Sequence, residues 1–221
     1  MTKNKLAFVS GATSGIGEAT AEILAANQWD LIISGRRLDR LNKLTSSLKT
    51  KYNVYVRALC FDIQQREQVK DSLASCADLL TKIDLLVNNA GLALGKSPFQ
   101  EGLESDWETM IDTNLKGIIY LTKEVIPFMI KNKSGHIVNI SSTAARDMYP
   151  GGNVYSASKS AVDALTKSLR LDLLEHNIKV SSVAPGMVHT EFSEVRFHGD
   201  KAKAEKVYQG FEPLYAKDVA D

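Results

Sequence analysis

A chain of 221 residues with 27 basic and 26 acidic side chains, 44% hydrophobic content and a formal net charge of +1 suits one ordinary folded domain. The even charge, with no basic run and no low-complexity tract, argues against a nucleic-acid binder. No apolar stretch approaches the ~20 residues of a membrane span, and the opening apolar run at 6–9 is too short for a secretory signal core, so a soluble, cytoplasmic protein is expected.

Along the chain, short apolar runs at 6–9, 31–34, 54–60, 84–87, 136–140 and 179–184 alternate with helix-like stretches at 15–28, 37–50, 64–80, 104–132 and 153–176. Strands alternating with amphipathic helices predict an α/β protein. Right-handed crossovers make a doubly wound parallel sheet with helices on both faces the simplest topology. No repeat or Pro/Ser-rich linker divides the pattern, so 1–221 reads as a single domain. Pro127, inside 104–132, predicts a local kink. Residues 217–221 read as the first turn of a helix, one that would bury almost nothing. Cys60 and Cys76 lie sixteen residues apart with no Cys-x-x-Cys or His-rich partner, so they read as buried reduced thiols rather than metal ligands. The four histidines show no metal spacing either, and His189 reads as a loop histidine.

The first strand runs into Ser10-Gly11-Ala12-Thr13-Ser14-Gly15-Ile16-Gly17, which opens the first helix. Glycines let such a loop turn tightly and approach a ligand closely. The helix amino terminus offers unpaired N–H groups and a positive dipole end to a pyrophosphate. An NAD-preferring fold ends its second strand with an acid for the ribose hydroxyls. Here the sequence reads Ser34-Gly35-Arg36-Arg37. Two guanidiniums can grip a 2′-phosphate in forked, charge-assisted bonds, and arginine in a first helical turn opposes the dipole. The cofactor predicted is therefore NADP.

Tyr155 and Lys159 stand one helical turn apart on one face, with Ser142 thirteen positions upstream and Asn114 further back. An ammonium about 4 Å from a phenol is worth on the order of 4 kcal/mol at an effective dielectric of 20. That is enough to draw a tyrosine from its usual pKa of about 10 toward the range in which a general base works, with nearby cofactor charge assisting and burial opposing.

Taken in order, these motifs resemble the short-chain dehydrogenase/reductase family over essentially the whole chain: Gly11-x-x-x-Gly15-x-Gly17, Asp62, Asn88-Asn89-Ala90-Gly91, Asn114, Ser142, Tyr155-x-x-x-Lys159 and Pro185-Gly186. The resemblance implies a Rossmann-type oxidoreductase that moves a hydride between NADP(H) and an alcohol or carbonyl. It implies Tyr155 as acid/base, Lys159 as its partner and a nicotinamide-ribose ligand, Ser142 orienting the substrate oxygen, and Asn114 holding a relay water. Asp62 and Ile63 fall where the family binds adenine. Asn89, Ala90 and Gly91 line the nucleotide cleft, while Pro185, Gly186, Val188 and Thr190 match the segment that holds the nicotinamide. Arg36 takes the position that marks NADP-preferring members.

Within the family, residues 88–95, 106–114, 151–155 and 191–200 resemble the NADP-dependent serine/3-hydroxy-acid dehydrogenases. A substrate such as serine, allo-threonine or 3-hydroxyisobutyrate follows. Its carboxylate calls for a cation, and Arg146 and Arg196 are the candidates on substrate-side loops. A 3-ketoacyl-thioester reductase acting on acyl-carrier protein shares every catalytic residue and stays open. A non-catalytic nucleotide sensor is disfavoured because all four catalytic positions are intact. Family members are commonly dimers or tetramers through their fifth and sixth helices, so a homo-oligomer without metal is expected. They also continue into another helix and a seventh strand, which makes a missing C-terminal segment the expectation here.

Overall fold

The computed structural model describes residues 4–221. The chain runs β1 (Leu6–Ser10), α1 (Gly15–Ala26), β2 (Asp30–Gly35), α2 (Leu38–Tyr52), β3 (Val56–Cys60), α3 (Arg66–Ala74), α4 (Ala77–Leu80) and β4 (Ile83–Asn88). It continues through α5 (Glu104–Ile111), a π-turn (Asp112–Lys116), α6 (Gly117–Asn132), β5 (Gly135–Ile140), α7 (Asn153–Asp172) and β6 (Ile178–Val183). A tail of short elements follows: β7 (Val188–His189), α8 (Phe192–Arg196), α9 (Lys201–Lys206), β8 (Leu214–Tyr215) and α10 (Ala216–Ala220).

Six parallel strands form one sheet in the order β3-β2-β1-β4-β5-β6, the doubly wound arrangement expected. Successive side chains of a strand point to opposite faces, and here both faces are covered. Leu6 and Phe8 of β1 pack with Val69, Leu121, Val125 and Met129 from α3 and α6. Ala7 and Val9 pack with Ala21, Ala25, Leu41, Leu44 and Leu48 from α1 and α2. Burial on both faces is why the strands read as unbroken apolar runs rather than alternating ones. Because all six strands run parallel, their carboxyl ends share one edge of the sheet. The chain order reverses between β1 and β4, which opens a crevice there.

Several predicted elements are subdivided. Stretch 64–80 breaks into α3 and α4. Stretch 104–132 is α5, the π-turn and α6 in direct succession, with α6 passing through Pro127 to Asn132. Stretch 153–176 ends as a helix at Asp172 and finishes in a short 3₁₀ turn. Cys60 is exposed rather than buried, because it ends the edge strand β3; Cys76 is buried as expected. The turn at 217–221 also departs from expectation: α10 packs on α1, and its Ala216, Val219 and Ala220 are half-buried.

Candidate active site

A cleft of about 310 Å³ follows the carboxyl ends of the strands. At its phosphate end lie Gly11, Thr13, Ser14, Gly15 and Ile16 of the β1–α1 loop. Gly11 has φ +66°, and a Cβ there would stand 2.8 Å from the Ala90 Cα, so only glycine lets this loop pass so close to the end of β4. Asn89 ties the two together, its Nδ2 donating to the carbonyls of Ser10 (2.9 Å) and Gly11 (3.1 Å). Ser14 occupies the N-cap of α1 yet makes no side-chain bond to the first turn, which leaves those N–H groups to an anion. Gly17 does not line the cleft. It lies against the Asn89 amide and the Gly11 carbonyl, a packing position that admits no side chain.

Arg36, Arg37, Asp62 and Ile63 line the other end of this half, with Asn89, Ala90 and Gly91 along its floor. The two arginines differ sharply. Arg36 is 59% exposed, and its ion pair with Asp62 is long at 3.7 Å. Arg37 donates to Thr13 Oγ1 (3.0 and 3.2 Å), the Thr13 carbonyl (3.2 Å), Ser14 Oγ (2.7 Å) and Glu191 (2.9 Å).

The far end of the cleft gathers Ser142, Tyr155 and Lys159 beneath Pro185, Gly186, Val188 and Thr190. Ser142 follows β5 and is buried, its Oγ accepting from the Ala144 N–H at 3.1 Å. Tyr155 and Lys159 lie in the first two turns of α7, both nearly fully buried. Lys159 Nζ donates to the Ile140 carbonyl at 2.8 Å. A Cβ on Gly91 would stand 3.2 Å from both Lys159 Nζ and Asn114 Oδ1, so glycine admits these two groups to the end of β4. Asn114 is fully buried in the π-turn, a helical irregularity frequent at functional sites. Its Oδ1 accepts from Leu92 N–H (2.8 Å), and its Nδ2 donates to the Leu92 carbonyl (2.8 Å) and Ser158 Oγ (3.0 Å). Both amide hydrogens are thus spent inside the protein.

Burial dominates the electrostatics of the pair. Burial, reinforced by Tyr149, holds the Tyr155 phenol above its usual pKa, while the Ser142 hydroxyl and the Arg196 guanidinium act in the opposite direction. Burial also pushes Lys159 down to about 8, partly countered by Asp163. Desolvation penalises whichever form is charged. Burial therefore outweighs the groups that favour the phenolate, among them the Arg196 guanidinium.

On the substrate side, Arg146 is removed as a carboxylate ligand: it is 68% exposed, pairs with Asp163 at 3.4 Å and stays outside the cleft. Arg196 behaves otherwise. Its Nε donates to the Gly95 carbonyl (3.1 Å), and its guanidinium carbon lies 5.2 Å from the Tyr149 ring centre and 5.7 Å from that of Tyr155. Its Nη2 is buried without a partner, and the residue lines a second cavity of about 400 Å³. Arg196 lines that cavity and not the cleft; its approach to the Tyr155 ring, which lines the cleft, is what sets it at the seam between them. His189 is exposed, with the rings of Tyr208 and Tyr215 4.5 and 6.0 Å away between centres, and does not line the cleft.

Two residues of the site escape the sequence reading. Glu191 meets Arg37 and Arg40, and Phe192 packs edge-on against Tyr155 at 5.7 Å. Their sequence signal is that they open the stretch 191–200 that carries the subgroup resemblance, which gives neither of them a role. Among the described residues no group of three or more His, Cys, Asp or Glu could hold a metal, and no helix is long and apolar enough to cross a membrane.

Known proteins resemble this chain along nearly its whole length. The NADP-dependent 3-hydroxy acid dehydrogenase YdfG of Shigella flexneri is 44% identical over 217 residues, 98% of this chain and 86% of that protein. Serine 3-dehydrogenase of Rhizobium radiobacter is 40% identical over 214 residues, 97% of this chain and 84% of that one. The closed form of a serine dehydrogenase complexed with NADP+ superposes with a TM-score of 0.91 at 44% identity, covering 97% of this chain and 86% of that structure. Residues 5–201 match the short chain dehydrogenase family, and the chain belongs to it.

Proposed function

We propose that this protein is an NADP-dependent oxidoreductase that interconverts a small 3-hydroxy acid, such as serine or 3-hydroxyisobutyrate, and the corresponding carbonyl compound. The observation that carries this reading is the convergence of Ser142, Tyr155 and Lys159 at one end of a cleft whose other end presents arginines. The cleft suits a dinucleotide phosphate: Gly11 leaves the space a Cβ would fill, the first turn of α1 is uncapped, and Arg36 is free for a 2′-phosphate. When bound, the nicotinamide supplies the hydride donor or acceptor.

The chain's own residues supply position and the proton. Ser142 fixes the substrate oxygen beside the Tyr155 hydroxyl. A phenol held above its usual pKa is protonated at neutral pH, so Tyr155 is ready as the general acid that protonates the oxygen during carbonyl reduction. In oxidation the same group acts as its phenolate and accepts the proton of the substrate hydroxyl. Lys159, anchored on the Ile140 carbonyl, fixes the ribose side of the site, and Asn114 holds the β4 loop through Leu92. The unpartnered Nη2 of Arg196 takes the substrate carboxylate; the short span from its guanidinium to the Tyr155 ring suits an acid group only a few bonds from the reacting carbon. A single catalytic domain, a cytoplasmic location and a homodimer or homotetramer belong to the same proposal. Exposed Ile111, Ile119 and Leu171 on α5, α6 and α7 offer apolar surface for association.

A substrate panel tests the reading: small 3-hydroxy acids, matched neutral alcohols and acetoacetyl thioesters, followed by NADPH absorbance with NAD as control. Activity on the acids with NADP is expected. Activity confined to thioesters would replace it with a ketoacyl-thioester reductase.

A further inference from the structure

We propose that Glu191, gripped by Arg37 and Arg40, latches the strap leading out of β6 across the nucleotide cleft and thereby sets how long NADP(H) stays bound. The inference rests on the NADP reading above. Its starting point is the sheet order, in which β6 lies four strand spacings from β2. At about 4.8 Å per spacing, that is roughly 19 Å. Yet Glu191, eight residues beyond the end of β6, already touches α2 and the residue before it. The intervening chain must cross the carboxyl ends of β5, β4 and β1, where the cleft lies. Pro185, Gly186, Val188 and Thr190 line the cleft on the way.

The landing point is a shared carboxylate. Glu191 accepts from Arg37 Nη1 at 2.9 Å and from Arg40 Nη1 at 2.7 and 2.9 Å. Exposed ion pairs usually contribute little because two mobile side chains must be ordered. Here Arg37 is already fixed by Thr13 and Ser14, so the strap closes directly onto the phosphate loop. Both guanidiniums hold the Glu191 carboxyl below its usual pKa, Arg37 most of all. Arg40 sits in the first turn of α2, where the helix dipole disfavours a cation. The latch accounts for its placement. Beyond Glu191 the chain delivers Phe192 to the Tyr155 ring and Arg196 to the seam, so release of the latch loosens the substrate side as well.

The experiment compares the wild type with Glu191→Gln, Arg40→Met and the double variant, all titrated with NADPH by fluorescence and then mixed with excess NADP+. NADPH release is expected to be about five- to tenfold faster in each single variant. The double variant should be no faster than Glu191→Gln, which already removes both ion pairs, and added salt should speed release more in the wild type than in Glu191→Gln. In the cofactor-free proteins, amide exchange over residues 184–200 should rise in both single variants. Release within twofold of wild type, with unchanged exchange, overturns the latch while leaving NADP binding intact. Slower release also overturns it, since the carboxylate would then be competing with a cofactor phosphate. A wild type that fails to bind NADPH sinks the cofactor reading itself, and the exchange measurement still judges the latch.

Discussion

The half of the molecule from β1 to β3 and the tail beyond β6 perform their tasks by opposite means. The first is built from elements of five to fifteen residues whose inner faces are buried in a continuous core. From β7 to β8 the tail is built from elements of two to six residues, and of its side chains only Ser193 and Ala204 are buried. What holds the tail is polar: Glu191 to Arg37 and Arg40, Arg196 to Gly95, His198 to Asp106 at 3.1 Å, and Ser193 to Tyr208 at 2.6 Å. Segments with few buried apolar contacts open at low cost. The difference assigns cofactor seating to the rigid part, and retention and selectivity to a part that can move.

The largest effect expected is at Tyr155, buried on α7 where the tail's Phe192 meets it. Tyr155→Phe should lower kcat about 10³-fold, the scale of general acid–base catalysis, with NADPH affinity and thermal stability near wild type. Turnover within tenfold of wild type would remove the tyrosine from the chemistry. Next comes Arg196, on the mobile side. Losing a charge-assisted bond costs about 1.5–3 kcal/mol. Arg196→Gln should therefore cut the preference for a 3-hydroxy acid over its neutral alcohol about 10- to 100-fold, with partial rescue by Arg196→Lys. An unchanged ratio of kcat/KM values would place the acid group elsewhere.

Lys159 gives a third contrast, read through pH. Unfolded, its ammonium keeps its proton up to about 10.4; folded, it gives the proton up at about 8. The unfolded chain binds more protons between those values, so the penalty of the buried charge is present below pH 8 and is relieved as pH rises. Urea denaturation should show wild type gaining about 2 kcal/mol relative to Lys159→Met between pH 8 and pH 10. Parallel pH profiles would mean that the lysine is not desolvated in solution.

How far the sequence reaches follows the same division. The sheet, the glycine loop and the Tyr155–Lys159 pair are legible because each is local: a periodicity, a contiguous motif, a spacing of one turn. The latch joins residues 151 and 154 positions apart, and the Arg196–Gly95 bond spans 101. No local pattern announces such contacts. The balance of charge and burial at this pair is out of the sequence's reach for a related reason. The phenol–ammonium attraction can be imagined from spacing alone, but desolvation depends on what the rest of the chain packs around the pair, and desolvation dominates both groups. Cys60 follows suit, since only the sheet order reveals that its strand lies at the edge.

Arg36 and Arg37 put this division to its finest test. As adjacent guanidiniums they look equivalent, and the sequence assigns both to a 2′-phosphate. In the folded chain Arg37 belongs to the architecture, bound to Thr13, Ser14 and Glu191, whereas Arg36 meets only a distant Asp62. Arg36→Ala should therefore lower the preference for NADP over NAD, as the ratio of kcat/KM values, by about tenfold, the modest size expected of an exposed charge-assisted contact. It should leave the melting temperature of the cofactor-free protein unchanged. Arg37→Ala should shift that melting temperature downward and raise exchange in the strap before any cofactor is added. If both variants change cofactor preference equally and neither disturbs the cofactor-free protein, the arginines form one phosphate clamp and the boundary between rigid half and tail lies elsewhere.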